Sequence, residues 1–271
     1  MMTELKNSAI ALTGAAGGFG QQFTRQLLQA GSQLILTDLD ETILQEKVAA
    51  IQNEIKTGKV IACLGVDLST PDGAKRFYET VKALKIPIDI LINNAGIGLY
   101  GRMDEVPSEK WEQLMQVNLL APMRLSSLFM ADMIARQHGH IVNISSLAGH
   151  IAPAGLAHYG ASKFGLRGFT EALANEVKRY DVKVTGVYPF FSRTPLLQSE
   201  TYGTLAQETS GISDEMATEP EKVIAAAIAA IKRNQRHVFP DRTAKTLYLL
   251  KRYFPRIVEW GSEALKPKQS S

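Results

Sequence analysis

The chain has 271 residues, 45% hydrophobic and 21% charged, the balance of a globular protein long enough for a large core. Its 30 basic and 27 acidic residues leave a net charge of +3, too mild and too evenly spread for a nucleic-acid footprint. The single cysteine, Cys63, has no disulfide partner, and the five histidines show no metal-ligand spacing, so no metal site is expected.

Residues 1–8 are mostly polar, and the apolar stretch after them is short and broken by Gly14, unlike the apolar core of a signal peptide. No window reaches the ~18 apolar residues that cross a bilayer. A cytoplasmic, reducing environment is the expectation. Short apolar runs then alternate with longer helical patterns, the signature of strand–helix–strand units in a parallel sheet. Strands are predicted over 9–13, 33–37, 60–64, 88–93, 140–145, 183–188 and 237–240. Cys63 falls in the third run and reads as a small core residue. The best-marked helix begins after Ser108, read as its cap, with apolar positions at Trp111, Leu114, Met115 and Val117. Another is predicted over 157–178. The expected architecture is one α/β domain over 1–242, a doubly wound parallel sheet of about seven strands with helices on both faces and ligands at the carboxyl ends of the strands.

Two segments break the alternation. Residues 192–218 have no strong period and contain Pro195, Gly203 and Gly211, which reads as a loop closing over a substrate or as a solvated insertion. Residues 243–271 read as an amphipathic helical extension interrupted near Pro255, mixing Tyr248, Phe254 and Trp260 with Lys245, Lys251 and Arg252.

The first strand runs into Thr13, Gly14, Ala15, Ala16, Gly17, Gly18, Phe19 and Gly20, and a helical pattern follows at once. A glycine-rich turn from strand to helix lets a diphosphate approach free amides at the helix N-terminus. Asp38 closes the second strand, 24 residues after Gly14, where a carboxylate accepts from an adenosine ribose. That carboxylate repels a 2′-phosphate, and neither Gly17 nor Leu39 supplies the cation such a phosphate requires, so NAD(H) is favoured over NADP(H). The alternative for Asp38 is a helix cap before Glu41. Asp67, followed by Leu68, is placed to border the adenine, or simply to form a turn before Ser69 and Pro71.

Tyr159 and Lys163 stand one helical turn apart and project from one face. A phenol titrating near 10 is a poor base at neutral pH, and a neighbouring ammonium stabilises its phenolate. Ser146, at the carboxyl end of the fifth predicted strand, lies at the same ligand edge, with Ser145 as the alternative one residue away.

Taken together, the Thr-Gly-x-x-x-Gly-x-Gly turn at Thr13, Gly14, Gly18 and Gly20, the Asn93, Asn94, Ala95, Gly96 segment, Asn118, Ser146, Tyr159 and Lys163 resemble the short-chain dehydrogenase/reductase family, up to about residue 240. The resemblance implies a Rossmann-like fold and an oxidoreductase that moves hydride between nicotinamide and an alcohol or carbonyl carbon. Tyr159 would exchange a proton with the substrate oxygen and Ser146 would hydrogen-bond it. Lys163 would tune the tyrosine and bind the nicotinamide ribose, and Asn118 would serve a proton relay. Phe19, Asn94, Ala95, Gly96, Pro189 and Thr194 would border the cofactor, Asn94 mainly by shaping the sheet. One departure stands out, because Phe190 follows Pro189 where the family usually has glycine. Its ring would narrow the substrate pocket or add an apolar wall.

The leading expectation is an enzyme acting on a secondary alcohol or ketone of apolar character. The alternative is a dinucleotide-binding sensor or scaffold without turnover, for which Phe190 is the one feature. The resemblance also implies a homodimer or homotetramer. The basic aromatic tail either lies peripherally on a membrane or packs on the domain or a partner subunit.

Overall fold

The computed structural model describes residues 2–208 and 217–256. Seven parallel strands form one sheet: β1 (Ala9–Thr13), β2 (Gln33–Asp38), β3 (Lys59–Gly65), β4 (Ile90–Asn93), β6 (Gly139–Ile144), β7 (Val182–Val187) and β9 (His237–Val238). Their order is β3-β2-β1-β4-β6-β7-β9. The chain first builds outward from β1 to β3 and then restarts beside β1, so the topological switch point lies between β1 and β4. In open α/β sheets the carboxyl ends at that point form the ligand crevice.

Both faces are covered, which is why the central strands read as unbroken apolar runs. On one face α1 (Gly18–Gln29), α2 (Glu41–Glu54) and α8 (Pro220–Lys232) pack Phe23, Leu27, Val48 and Ile224 against Ile10, Leu12, Leu36 and Ile92. Cys63 packs at the edge of this cluster, and burial pushes its thiol pKa up. On the other face α3 (Pro71–Ala83), α5 (Ala121–Arg136) and α6 (Ala157–Glu176) pack Phe77, Phe129, Met133 and Leu173 against Ala9, Ala11, Leu91 and Ile141. Helix starts follow local chemistry: Asp40 caps α2 through the Ile43 amide at 3.0 Å, and Thr70 caps α3 ahead of Pro71.

Several expectations change in detail. The fourth strand starts at Ile90 rather than at residue 88; just ahead of it the Asp89 carboxylate accepts from the Ala9 amide at 2.9 Å, while the Asp89 amide donates to the Ala9 carbonyl at 2.8 Å. Ser108 is the first residue of α4 (Ser108–Met115) and not its cap; extended Pro107 occupies the cap and no side chain bonds there. That helix does not run straight into α5 but passes through a π-turn, Gln116–Leu120.

The segment 192–218 is not the structureless loop its composition suggests. A 3-10 turn (Pro195–Gln198) leads into β8 (Glu200–Tyr202) and α7 (Gly203–Glu208), and β8 pairs in parallel with β5 (Leu99–Gly101). Its other end is tied back by a bridge from Ser192 to Thr218. In the C-terminal extension, α9 (Arg242–Tyr253) begins at an Asp241 cap and breaks at Phe254, the residue before Pro255. Trp260 and the rest of the tail from 257 lie outside the described residues.

Candidate active site

The turn from β1 into α1 places Gly14 at φ +66°, a left-handed conformation that glycine adopts without strain. A Cβ there would also meet the Ala95 Cα at 2.7 Å, and one at Gly18 would meet the Thr194 side chain at 2.8 Å. The glycine turn is therefore closed on one side by the β4 end and on the other by the segment after β7. Thr13 holds this junction: its buried hydroxyl accepts from the amides of Asn94 and Ala95, each at 3.0 Å. The Asn94 amide donates to the carbonyls of Thr13 and Gly14 at 3.0 Å, leaving its own buried Oδ1 without a partner. Phe19 packs on the core beneath the turn.

Asp38 is not the cap of α2, since that position belongs to Asp40. Its carboxylate instead accepts from the Ala16 amide at 2.8 Å and from the Leu39 amide at 2.8 Å, fixed beside the glycine turn. Asp67 accepts from the Ser69 amide at 2.8 Å in a local turn, while Leu68 is buried.

Across the crevice, Ser146, Tyr159 and Lys163 converge. Ser146 follows β6 and starts a short 3-10 turn, its hydroxyl accepting from the Ala148 amide at 3.1 Å and standing near enough to the Tyr159 phenol to pull its pKa down. Ser145, the alternative serine, is buried with its hydroxyl donating to the Lys163 carbonyl at 3.1 Å, which turns it away from the crevice. The Lys163 ammonium donates to the Ile144 carbonyl at 3.2 Å and lies 5.6 Å from the centre of the Tyr159 ring. Burial pushes the Tyr159 phenol up to about 12, against the opposing pull of Ser146, and lowers Lys163 to about 8. At neutral pH the phenol is thus protonated and most of the Lys163 is charged.

Asn118 sits fully buried in the π-turn and bonds outside its own helix. Its Oδ1 accepts from the Ile97 amide at 2.8 Å and its Nδ2 donates to the Ile97 carbonyl at 2.9 Å. A Cβ on Gly96 would stand 3.3 Å from Asn118 Oδ1 and 3.6 Å from Lys163 Nζ, so the two residues face one gap. The expanded turn is the local distortion that aims Asn118 there.

Pro189 accepts from the Leu147 amide at 2.8 Å, joining the segments after β6 and β7. The Phe190 amide donates to the Asp241 carboxylate at 3.1 Å, and its ring meets Phe191 edge-on at 4.7 Å. Asp241, which also caps α9, escaped the sequence reading although an Asp ahead of a helical run is a cap signal. Lys47 was missed too: its ammonium reaches from α2 to the Ala16 carbonyl at 2.9 Å, a contact made by folding and without any fixed spacing to mark it.

The residues present fit a dinucleotide. The first turn of α1 holds no acidic residue and no side chain caps it, so its amides are open to an anion, and glycines line the approach. The orphaned Asn94 Oδ1 stands at the same crevice.

The fold and this crevice define an α/β dinucleotide-binding protein with a tyrosine–lysine–serine cluster at the switch point. Residues 8–203 match the short chain dehydrogenase family, and the chain belongs to it. It is 31% identical over 249 residues to epidermal retinol dehydrogenase 2 of Homo sapiens, spanning 91% of this chain and 78% of that protein. It is 32% identical over 222 residues to 3-ketodihydrosphingosine reductase of Bos taurus, spanning 81% of this chain and 67% of that one. The solved structure of a metagenomic short-chain oxidoreductase in complex with NADP matches with a TM-score of 0.71 at 31% identity, covering 88% of this chain and 98% of that chain. The protein is accordingly an oxidoreductase of this family with a nicotinamide dinucleotide cofactor. Among the described residues no helix is long and apolar enough to cross a membrane.

Proposed function

We propose that the protein interconverts an apolar secondary alcohol and its ketone, with Tyr159 exchanging the proton. The observation that carries this reading is the convergence of the Tyr159 phenol, Ser146 and the Lys163 ammonium on the crevice that the glycine turn opens. The Gly14 to Gly20 turn, Asp38, Ala95, Gly96, Lys163, Pro189 and Thr194 would hold the dinucleotide, which would supply or accept the hydride. In reduction, Ser146 and Tyr159 hydrogen-bond the carbonyl oxygen, and the phenol gives it a proton as the carbon is reduced. Burial keeps that phenol in the donor form at neutral pH. In oxidation the proton returns to the tyrosine oxygen, a phenolate that the nearby ammonium stabilises. Asn118 and Lys163, facing one gap beside Gly96, line the route by which the proton reaches solvent.

The apolar character of the substrate rests on the walls. Tyr159 itself packs on Leu99, Val106 and Leu114 together with Ile97 and Tyr202, and Phe190 with Phe191 closes the side after β7. Retinol and 3-ketodihydrosphingosine, which the two relatives name, are long apolar molecules with an alcohol or keto group. Absorbance assays of the wild-type protein against ketones from short chains to long acyl and steroid compounds test this. Turnover rising with apolar bulk supports it, whereas dinucleotide binding without turnover on any compound moves the reading to a sensor.

NAD(H) is the cofactor we favour, because the Asp38 carboxylate, held beside the glycine turn by the Ala16 and Leu39 amides, would accept from an adenosine ribose and repel a 2′-phosphate. Replacing Asp38→Ser is expected to narrow the ratio of NADPH to NADH dissociation constants by tenfold or more, on the order of 1.4 kcal/mol. An unchanged ratio, or a wild-type preference for NADPH through Lys47, contradicts the assignment.

A further inference from the structure

Away from the Tyr159 crevice, α6, β7, β9 and α9 border a cavity of about 550 Å³. Its charge is one-sided. Among the described lining residues, Arg167, Arg236, Lys251 and Arg252 stand against one carboxylate, Glu171, which already pairs with Arg167 at 2.8 Å, while Arg236 donates to the Asn175 side chain at 3.2 Å and Arg252 to the Tyr248 hydroxyl at 2.9 Å, both neutral partners. These cations come from α6, from the residue before β9 and from α9, so folding gathers them and no single helix face explains them. Like charges brought round one space repel, and an anion among them relieves that repulsion.

A second observation points the same way. His150 lines the same cavity, only 8% exposed, and its buried Nε2 has no hydrogen-bond partner. An unpaired polar atom at that depth is costly, and a ligand oxygen would satisfy it. Burial also holds His150 down at about 4, so it meets a ligand as a neutral ring. Tyr248 stands edge-on to His150 at 4.9 Å and gives the cavity an aromatic wall.

We infer that this cavity binds a phosphate-bearing small molecule of about mononucleotide size, its phosphate on Arg236, Lys251 and Arg252 and its body against Tyr248 and His150. A carboxylate would balance one cation, whereas a phosphate ester carries up to two charges and suits the guanidinium fork. The volume lies within the range of small-molecule sites. The inference is independent of the reaction at Tyr159.

Calorimetric titration of the full chain, saturated with its dinucleotide and held at constant ionic strength, tests it with inorganic phosphate and AMP as probes. The expected result is saturable binding of AMP, tighter than that of phosphate, with the dissociation constant raised at least tenfold in Arg236→Gln/Lys251→Gln and the dinucleotide still bound. Arg252→Gln, exposed on α9, serves as a second variant with a smaller loss of the same sign. Absence of saturable binding, equal affinity in the variants, displacement of the dinucleotide by AMP, or phosphate binding as tightly as AMP would each overturn the inference.

Discussion

Tyr159 and Lys163 show how far a residue pair can be read without a structure. Their spacing put them on one helix face, but it could not give the burial that raises the phenol to about 12 and lowers the lysine to about 8. Histidine shows the same limit. The sequence marks His140 only as the start of the fifth predicted strand, yet it is buried in β6 with Thr3 Oγ1 at 3.0 Å from one ring nitrogen and Thr185 Oγ1 at 2.8 Å from the other. Burial, aided by Lys183, lowers its pKa to about 3. Between about pH 6.5 and that value the unfolded chain binds a proton that the folded chain refuses, so the folded state loses stability as pH falls through this window. Above it the contribution is constant. Urea unfolding across the window is expected to show a shallower pH slope for His140→Gln than for the wild type; equal slopes, or a His140 ring that titrates near 6.5 by NMR, would contradict this.

At the scale of elements, legibility followed length and burial. The seven strands of the sheet announced themselves because each buries apolar residues on one or both faces, and the glycine turn announced itself because its context is a strand followed by a helix. β5 and β8 did not. Each has three residues, too few to show alternation, and their partnership joins segments about a hundred positions apart. The π-turn left no mark either, since one extra residue in a helical run has no compositional signature. Yet the small sheet anchors the segment after β7: Lys110 pairs with Glu200 at 2.8 Å, and the Thr204 amide donates to Glu105 at 2.8 Å. Thr201→Pro removes an amide from β8 opposite Tyr100. The expected outcome is a KM raised several-fold for bulky substrates, roughly threefold to tenfold, with Tm moved by less than about 2 °C. An unchanged KM would mean that this segment does not shape the substrate site.

Across the whole molecule, the sheet order explains why residues as distant as Gly14, Asn94, Ser146 and Thr194 share one crevice: all follow carboxyl ends near the β1–β4 switch point. The surface opposite carries its own signal. Phe164 on α6 is 41% exposed and Met123 on α5 is 37% exposed, while Gly168 faces open space. We propose that they mark a self-association face on α5 and α6, on which Phe164→Glu is expected to lower the mass found by light scattering from that of a wild-type dimer or tetramer to that of a monomer. A wild-type monomer, or a variant of unchanged mass, would exclude that face. Part of the extension packs on the domain, Tyr248 stacking on Phe239 at 4.2 Å. The central claim is that Tyr159 carries the proton, and single-turnover kinetics of Tyr159→Phe with the dinucleotide bound tests it most directly. The rate is predicted to fall by about 10² to 10⁴-fold or more with dinucleotide affinity nearly unchanged; a variant that turns over at the wild-type rate would contradict the account.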